Sequence, residues 1–168
     1  MSISELGALG EFIGALLLFV SLIYVALQLR QNTAALRAES QRSSTDQFTN
    51  IDLVITGNPE LREAVLALAT EAKFSEMNPD QAIRTNAVLQ AYCSTFNQVF
   101  QDARAGIADP AYWKGFESTI KSNLIQNSLF REWWHSRAQQ DSLYSGDFYR
   151  WITEEIEKAE SQDAGESK

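Results

Sequence analysis

FIGALLLFVSLIYVALQL, residues Phe12 to Leu29, is a run of 18 residues without a charge. As an α-helix it would reach about 27 Å at 1.5 Å per residue, close to the thickness of a bilayer's hydrocarbon core. The run is apolar on every side, whereas the helix of a water-exposed surface keeps one polar face. It predicts a transmembrane helix over residues 6–29, after a short lead over 1–5. A cleaved signal peptide is the competing reading, and it needs a basic start, a shorter apolar stretch and a small-residue cleavage site. Here the first 29 residues contain no Lys or Arg and carry Glu5 and Glu11. Val25-Ala26-Leu27 is a poor cleavage signal, and polar helix formers follow directly. The expectation is a retained anchor.

Arg30, Arg37 and Arg42 lie just beyond the run, and nothing basic precedes it. Positive residues stay on the cytoplasmic side, so the N-terminus is expected outside and the C-terminal part in the cytoplasm. This makes the chain a single-pass protein of the cytoplasmic (inner) membrane. The single cysteine, Cys93, suits a reducing compartment and excludes an intramolecular disulfide framework.

Outward from the span, the pattern is helical throughout. From Leu6 to about Thr56 there is no proline, and glycine occurs only at 7, 10 and 14. The first helix is therefore expected to continue past the membrane as a stalk over residues 30–57, loosening or bending across the polar stretch Glu39 to Gln47. The three prolines each follow a capping residue, as Asn58-Pro59, Asn78-Pro79 and Asp109-Pro110, which is the pattern of helix starts. Helix two is read from Pro59 to about Lys73, with Leu61, Val65, Leu68 and Ala72 on one face. Helix three is read from Pro79 to about Ala105, with Ile83, Ala87, Val88, Ala91, Tyr92, Phe96, Val99 and Phe100 inward and Gly106 as its terminator. A fourth starts at Pro110, a short fifth covers Leu129 to about Ala138, and a last one opens at Ser145 or Asp147. No segment alternates as a strand would. The fold class is all-α: a transmembrane helix continuing into a stalk, then a small cytoplasmic bundle over 58–160 and a disordered tail over 161–168.

Composition fits that division. The chain has 168 residues and a net charge of −8. The region 59–153 carries eleven acids and nine bases, a net of −2, and the stretch 154–168 carries six acids and two bases, a net of −4. Nucleic-acid binding requires a basic stripe, and none exists.

Three sets of residues stand out. Gly7, Gly10, Gly14, Leu17, Ser21, Tyr24 and Gln28 recur at alternating spacings of three and four. Gln31, Ala35 and Ala38 extend the register. In lipid, helices associate through close backbone approach and polar contacts, and small and polar residues on one face supply both. This stripe is the expected helix-packing interface; a chance match is the bland alternative, since glycine and serine are common in spans. Glu11 sits beside it. A carboxylate within hydrocarbon is costly and tends to be functional, but so near the start of the helix the headgroup level is the favoured placement. The third set is aromatic: Trp113, Phe116, Phe130, Trp133, Trp134 and Trp151, with Phe148 and Tyr149. These are expected to fill a small bundle core, with a partner-facing patch as the alternative.

Nothing in the sequence spells out a reaction. His135 has only Glu132 at helical spacing, which is not a metal site. Cys93 reads as a small core residue. No G-x-S-x-G, P-loop, CxxC or H-E-x-x-H occurs. No cofactor, metal or catalytic role is expected, and the chain is not read as an enzyme.

Gly10-Glu11-Phe12-Ile13-Gly14, the segment from Ser21 to Thr33 (SLIYVALQLRQNT), Asn58-Pro59-Glu60-Leu61 and the Trp133-Trp134 pair together carry a resemblance. Over nearly its whole length the chain resembles a group of small, uncharacterised bacterial membrane proteins with one span and a C-terminal helical domain. The resemblance implies the span and the helical domain, and it brings no catalytic residues with it. The functional expectation is a membrane-anchored interaction or oligomerisation module, whose partners are membrane lipid and either a second copy or another membrane protein. The alternatives are a subunit of a homo-oligomeric pore, with Ser21, Tyr24, Gln28 and Gln31 lining it and Glu11 at its mouth, and an accessory subunit of a larger complex. A tethered enzyme or ligand-binding bundle using the aromatic residues has the least support.

Overall fold

The computed structural model describes residues 3–70, 72–138 and 143–166. All regular structure among them is helical. The order is α1 (Ile3–Gly57), α2 (Pro59–Ala69), a 3₁₀ turn (Phe74–Glu76), α3 (Pro79–Arg104), α4 (Pro110–Thr119), α5 (Ser128–Trp133) and α6 (Gly146–Glu166). Two π-helical segments continue α4 and α5, at Ile120–Ile125 and Trp134–Ala138.

The three capping residues do what their chemistry predicts. The Asn58 side chain accepts from the N–H groups of Glu60 and Leu61 at 2.9 and 3.4 Å. Asn78 forms a reciprocal capping box with Gln81, and Asp109 accepts from Ala111 N–H at 2.7 Å. Gly106, at φ +71°, ends α3 in the left-handed region. Ser145, one of the two expected starts of the last helix, accepts from Phe148 N–H through its hydroxyl and opens α6. A further cap lies outside the proline pattern. Asn127 accepts from Phe130 N–H, while its amide donates to the Leu68 carbonyl at 2.6 Å.

The chain divides into two compact units, Met1–Glu39 and Ser40–Lys168. In the first, every described residue from 6 to 39 is exposed except Gly14, which is half-buried. The second is a helical bundle. Its core is Leu89, Cys93, Phe96 and Phe100 of α3 packed with Ile120, Ile125, Leu129, Phe130, Trp133 and Trp134, and closed by Phe148, Ile152 and Ile156 of α6.

Four expectations are corrected. First, the polar stretch Glu39–Gln47 does not loosen: it stays helical within α1, and from Ser40 on its small hydroxyls make packing contacts. Ser44 is buried and donates to the Ser40 carbonyl at 3.0 Å, and Ser40 donates to Asp102 at 2.5 Å. The bundle unit therefore begins at Ser40, and residues 40–57 are one of its helices rather than a stalk. Phe48 stacks on Phe116 with ring centroids 5.1 Å apart, Ile55 is buried beside Ala64 and Val88, and Tyr92 donates to Asp52 at 2.7 Å.

Second, α2 stops at Ala69 rather than near Lys73. The chain turns there to insert Phe74 into the core, so Ala72 packs against the core from the turn and not from a helix face. Third, on α3 Ile83 and Ala87 are exposed, while Thr85, Leu89 and Cys93 are buried. Val88, Phe96, Val99 and Phe100 are buried as expected, and the buried arc is wider than the expected stripe and shifted away from Ile83 and Ala87. Fourth, residues 161–166, expected to be disordered, continue α6. The Ser161 hydroxyl donates to the Glu157 carbonyl, and Asp163 pairs with Arg131 of α5 at 2.9 Å. The remainder of the expected tail, residues 167 and 168, lies outside the described residues.

The π segment after α4 has a packing reason. A π-helix bonds residues five apart and so brings them toward one face. Ile120 and Ile125 both enter the core, at 0% and 2% exposure.

Candidate functional site

The small-residue stripe lies along the exposed N-terminal helix. A Cβ added at Gly7, Gly10 or Gly14 would meet nothing within 4 Å, so none of the described residues occupies the glycine edge. The polar members of the stripe make hydrogen bonds within the helix. The Ser21 hydroxyl donates to the Leu17 carbonyl at 2.8 Å, and the Gln28 amide donates to the Tyr24 hydroxyl at 3.0 Å. Thr33, just beyond, donates to the Leu29 carbonyl at 2.9 Å. The Ser21 and Thr33 hydroxyls are thereby turned back onto their own backbone. Glu11 is exposed on the same helix.

Apolar exposure here is extensive. None of the helix's most apolar 18-residue window is buried. Phe12, Leu16, Leu18, Phe19, Leu22 and Leu27 are all more than half exposed. Soluble monomers rarely expose contiguous apolar patches larger than a few hundred Å².

The aromatic set separates into two layers. Phe130, Trp133 and Trp134 are fully buried. Their polar handles are satisfied: Trp133 Nε1 donates to Asn86 at 2.9 Å and Trp134 Nε1 to Thr153 at 3.1 Å. Trp113, Phe116 and Trp151 are half-buried and pack on the core's margin. Trp113 and Trp151 sit edge to face at 5.2 Å, and both contact Phe100. The set is a hydrophobic core with an aromatic rim.

Glu132 does not face His135. Its carboxylate accepts from the N–H groups of Phe74 and Ser75 at 2.7 and 3.1 Å, capping the 3₁₀ turn from α5. Hydrogen bonding from Ser75 first, and then from Phe74 N–H, holds that carboxyl below its ordinary range against the opposing effect of burial. His135 instead lies 3.3 Å from Glu160 of α6, in an exposed pair. Cys93 is buried, and burial pushes its thiol above the ordinary range. Glu155 bridges Lys121 and Lys158 at 3.1 and 2.6 Å. Burial raises its pKa, but the hydrogen bonds from Lys158 and Lys121 more than offset this, and its carboxyl lies below the usual value. Among the described residues no group of three His, Cys, Asp or Glu side chains is placed to hold a metal ion.

Two surface features escape a reading of the sequence. One is an apolar groove on the bundle, lined by Ile51 and Val54 of α1, Leu61 of α2, and Ala87 and Ala91 of α3. Ala87 and Ala91 are its trace in the sequence, and the helical stripe hides it by assigning them to the core. The other is a cavity beside Thr85, for which no local pattern exists because its walls come from separated segments. Comparisons with protein-family models, with curated proteins and with solved structures find no match to this chain.

Proposed function

We propose that this protein is a membrane-anchored helical interaction module. Residues 6–29 span the cytoplasmic membrane once, with the N-terminus outside and the bundle in the cytoplasm, and the glycine edge packs against a second copy. The observation that carries the reading is the complete exposure of the apolar helix. A buried core helix would hide such residues within its own chain, and this one hides none. Apolar area left in water costs about 25 cal/mol per Å², so a helix exposing this many large side chains is best accommodated by lipid and by another helix. Arg30, Arg37 and Arg42, all exposed just beyond the span, support the orientation. The open space at Gly7, Gly10 and Gly14 supports close self-association. The resemblance to small single-span bacterial proteins agrees with this reading and adds no activity to it. No enzymatic step belongs to the proposal. The pore reading has no specific observation in its favour.

The test is fractionation followed by a copy count. After expression in a bacterium the full chain should pellet with membranes and resist a carbonate wash, with an intact mass that retains residues 6–29. Native mass spectrometry from detergent should then give a discrete oligomer. Gly14→Ile should weaken association about tenfold or more while the melting of the bundle stays unchanged. A soluble or N-terminally clipped product would refute the anchor. A strict monomer, or an oligomer indifferent to Gly14→Ile, would refute the packing edge.

A further inference from the structure

The apolar groove on the bundle has a volume of about 320 Å³. Its long walls are α1 and α3, which lie side by side and antiparallel: Ser40 bonds Asp102, Phe48 meets Phe96, and Ile55 is buried beside Val88. The groove therefore runs lengthwise along both helices. Asn50 is the one polar side chain in its lining. Ile83 lies one turn before Ala87 on the same face of α3 and lengthens the apolar strip. Ile83 and Val54 are both more than half exposed, and Ala87 and Ala91 leave room for another helix to approach.

The charges bear on what covers it. From Thr85 to Gln101 α3 carries no charged residue, and between Gln47 and Gly57 α1 carries only Asp52. That one carboxylate already accepts from the Tyr92 hydroxyl. The chain has a net charge of −8, so two copies repel each other over most of their surface. This strip is where identical copies meet with the least repulsion. A foreign partner drawn by charge would instead be held by an acidic rim, which the strip lacks.

We propose that this groove is the contact between the bundles of two copies, an inference that rests on the membrane-anchored reading above. A two-fold axis parallel to α1 and α3 sets groove against groove. It leaves the α1 helices of the two copies parallel, as they must be in two chains anchored in one membrane by the same helix. Val54 of each copy then meets the small side chains Ala87 and Ala91 of the other. Anchoring raises the local concentration, so a strip smaller than the interface of a free dimer is enough.

Cysteine cross-linking of the full chain in bacterial membranes, with a short bismaleimide, tests the contact. Cys93 is buried, so the parent chain is the blank. Ala87→Cys in the groove should give several times more dimer than Ser118→Cys on the exposed face of α4. Val54→Glu should cut the Ala87→Cys dimer about tenfold, because it sets two carboxylates against each other across the axis. The melting of the bundle should not change, since Val54 is exposed. Val54→Lys should act the same way, and co-expressing Val54→Glu with Val54→Lys chains should restore the dimer. Lipid or a foreign protein in the groove would not produce that rescue. Loss and rescue should persist in a Gly14→Ile background, which separates the groove from the glycine edge. Membrane fractionation is read separately, so loss of the anchor and loss of the groove contact are different results. Equal cross-linking at Ala87→Cys and Ser118→Cys, a dimer indifferent to Val54→Glu, or no rescue on mixing would each overturn the proposal.

Discussion

Phe12 and Phe19 on the N-terminal helix are 67% and 62% exposed, whereas Phe130 and Phe148 in the bundle are completely buried. The side chains are identical, and the environments are opposite. In the bundle, apolar residues recur at helical spacing between polar ones, so each helix offers a face to its neighbours and the faces close on one another. In residues 12–29 they occupy every face, and no single neighbour within the chain could cover them. The difference shows that apolar content alone does not make a core. Its angular distribution decides whether a helix is satisfied by its own chain or by what surrounds it.

The contrast is sharpest in paired substitutions read by bundle melting in detergent. Trp133→Ala should have the largest effect, a loss of about 3–5 kcal/mol, because it empties a fully buried site and strands the Asn86 side chain. Phe19→Ala, made in the exposed unit, should leave the same transition in place. Equal effects from the two would erase the distinction between the units.

Phe48→Ala tests where the bundle begins. Phe48 is half-buried among Tyr92, Phe96 and Phe116, so its removal should cost about 2 kcal/mol, measured by denaturant unfolding with an unchanged slope. A silent substitution would return residues 40–57 to the status of a free stalk. Gly106→Ala should cost about 1 kcal/mol, since the added methyl meets no neighbour and the left-handed backbone is the one source of strain.

Acid should have the mildest effect. Glu132 and Glu155 both sit below the ordinary glutamate value of 4.5 when folded. Their contribution is therefore present above that value and disappears as pH falls through the lower folded range. Melting temperature should be flat from neutral pH to about 5 and decline by a few degrees below about 4.5. Glu132→Gln should flatten part of that decline.

Much of this was legible in the chain. Asn58, Asn78 and Asp109 cap their helices because a side-chain oxygen two or three residues before an N–H finds it by local geometry alone. The core position of Trp133, Trp134 and Phe130 followed from size and spacing. The shift of the buried arc on α3 was not legible. Helical spacing places Phe96 and Phe100 inward correctly, but it places Ile83 and Ala87 inward as well, and only the packing of α2 and the later helices turns those two outward and buries Leu89. Nor was the role of Glu132 visible, since its partners Phe74 and Ser75 lie 58 and 57 residues away in sequence.

The sequence by itself determined the uncharged run at residues 12–29, the helical character of the whole chain and the points where helices start, because hydropathy, proline placement and capping act over a few neighbouring residues. Only the tertiary structure decided that residues 40–57 join the bundle, that Glu132 caps a distant turn and that an apolar groove lies between α1 and α3. Those outcomes depend on which segments meet in space, and no local pattern encodes that meeting.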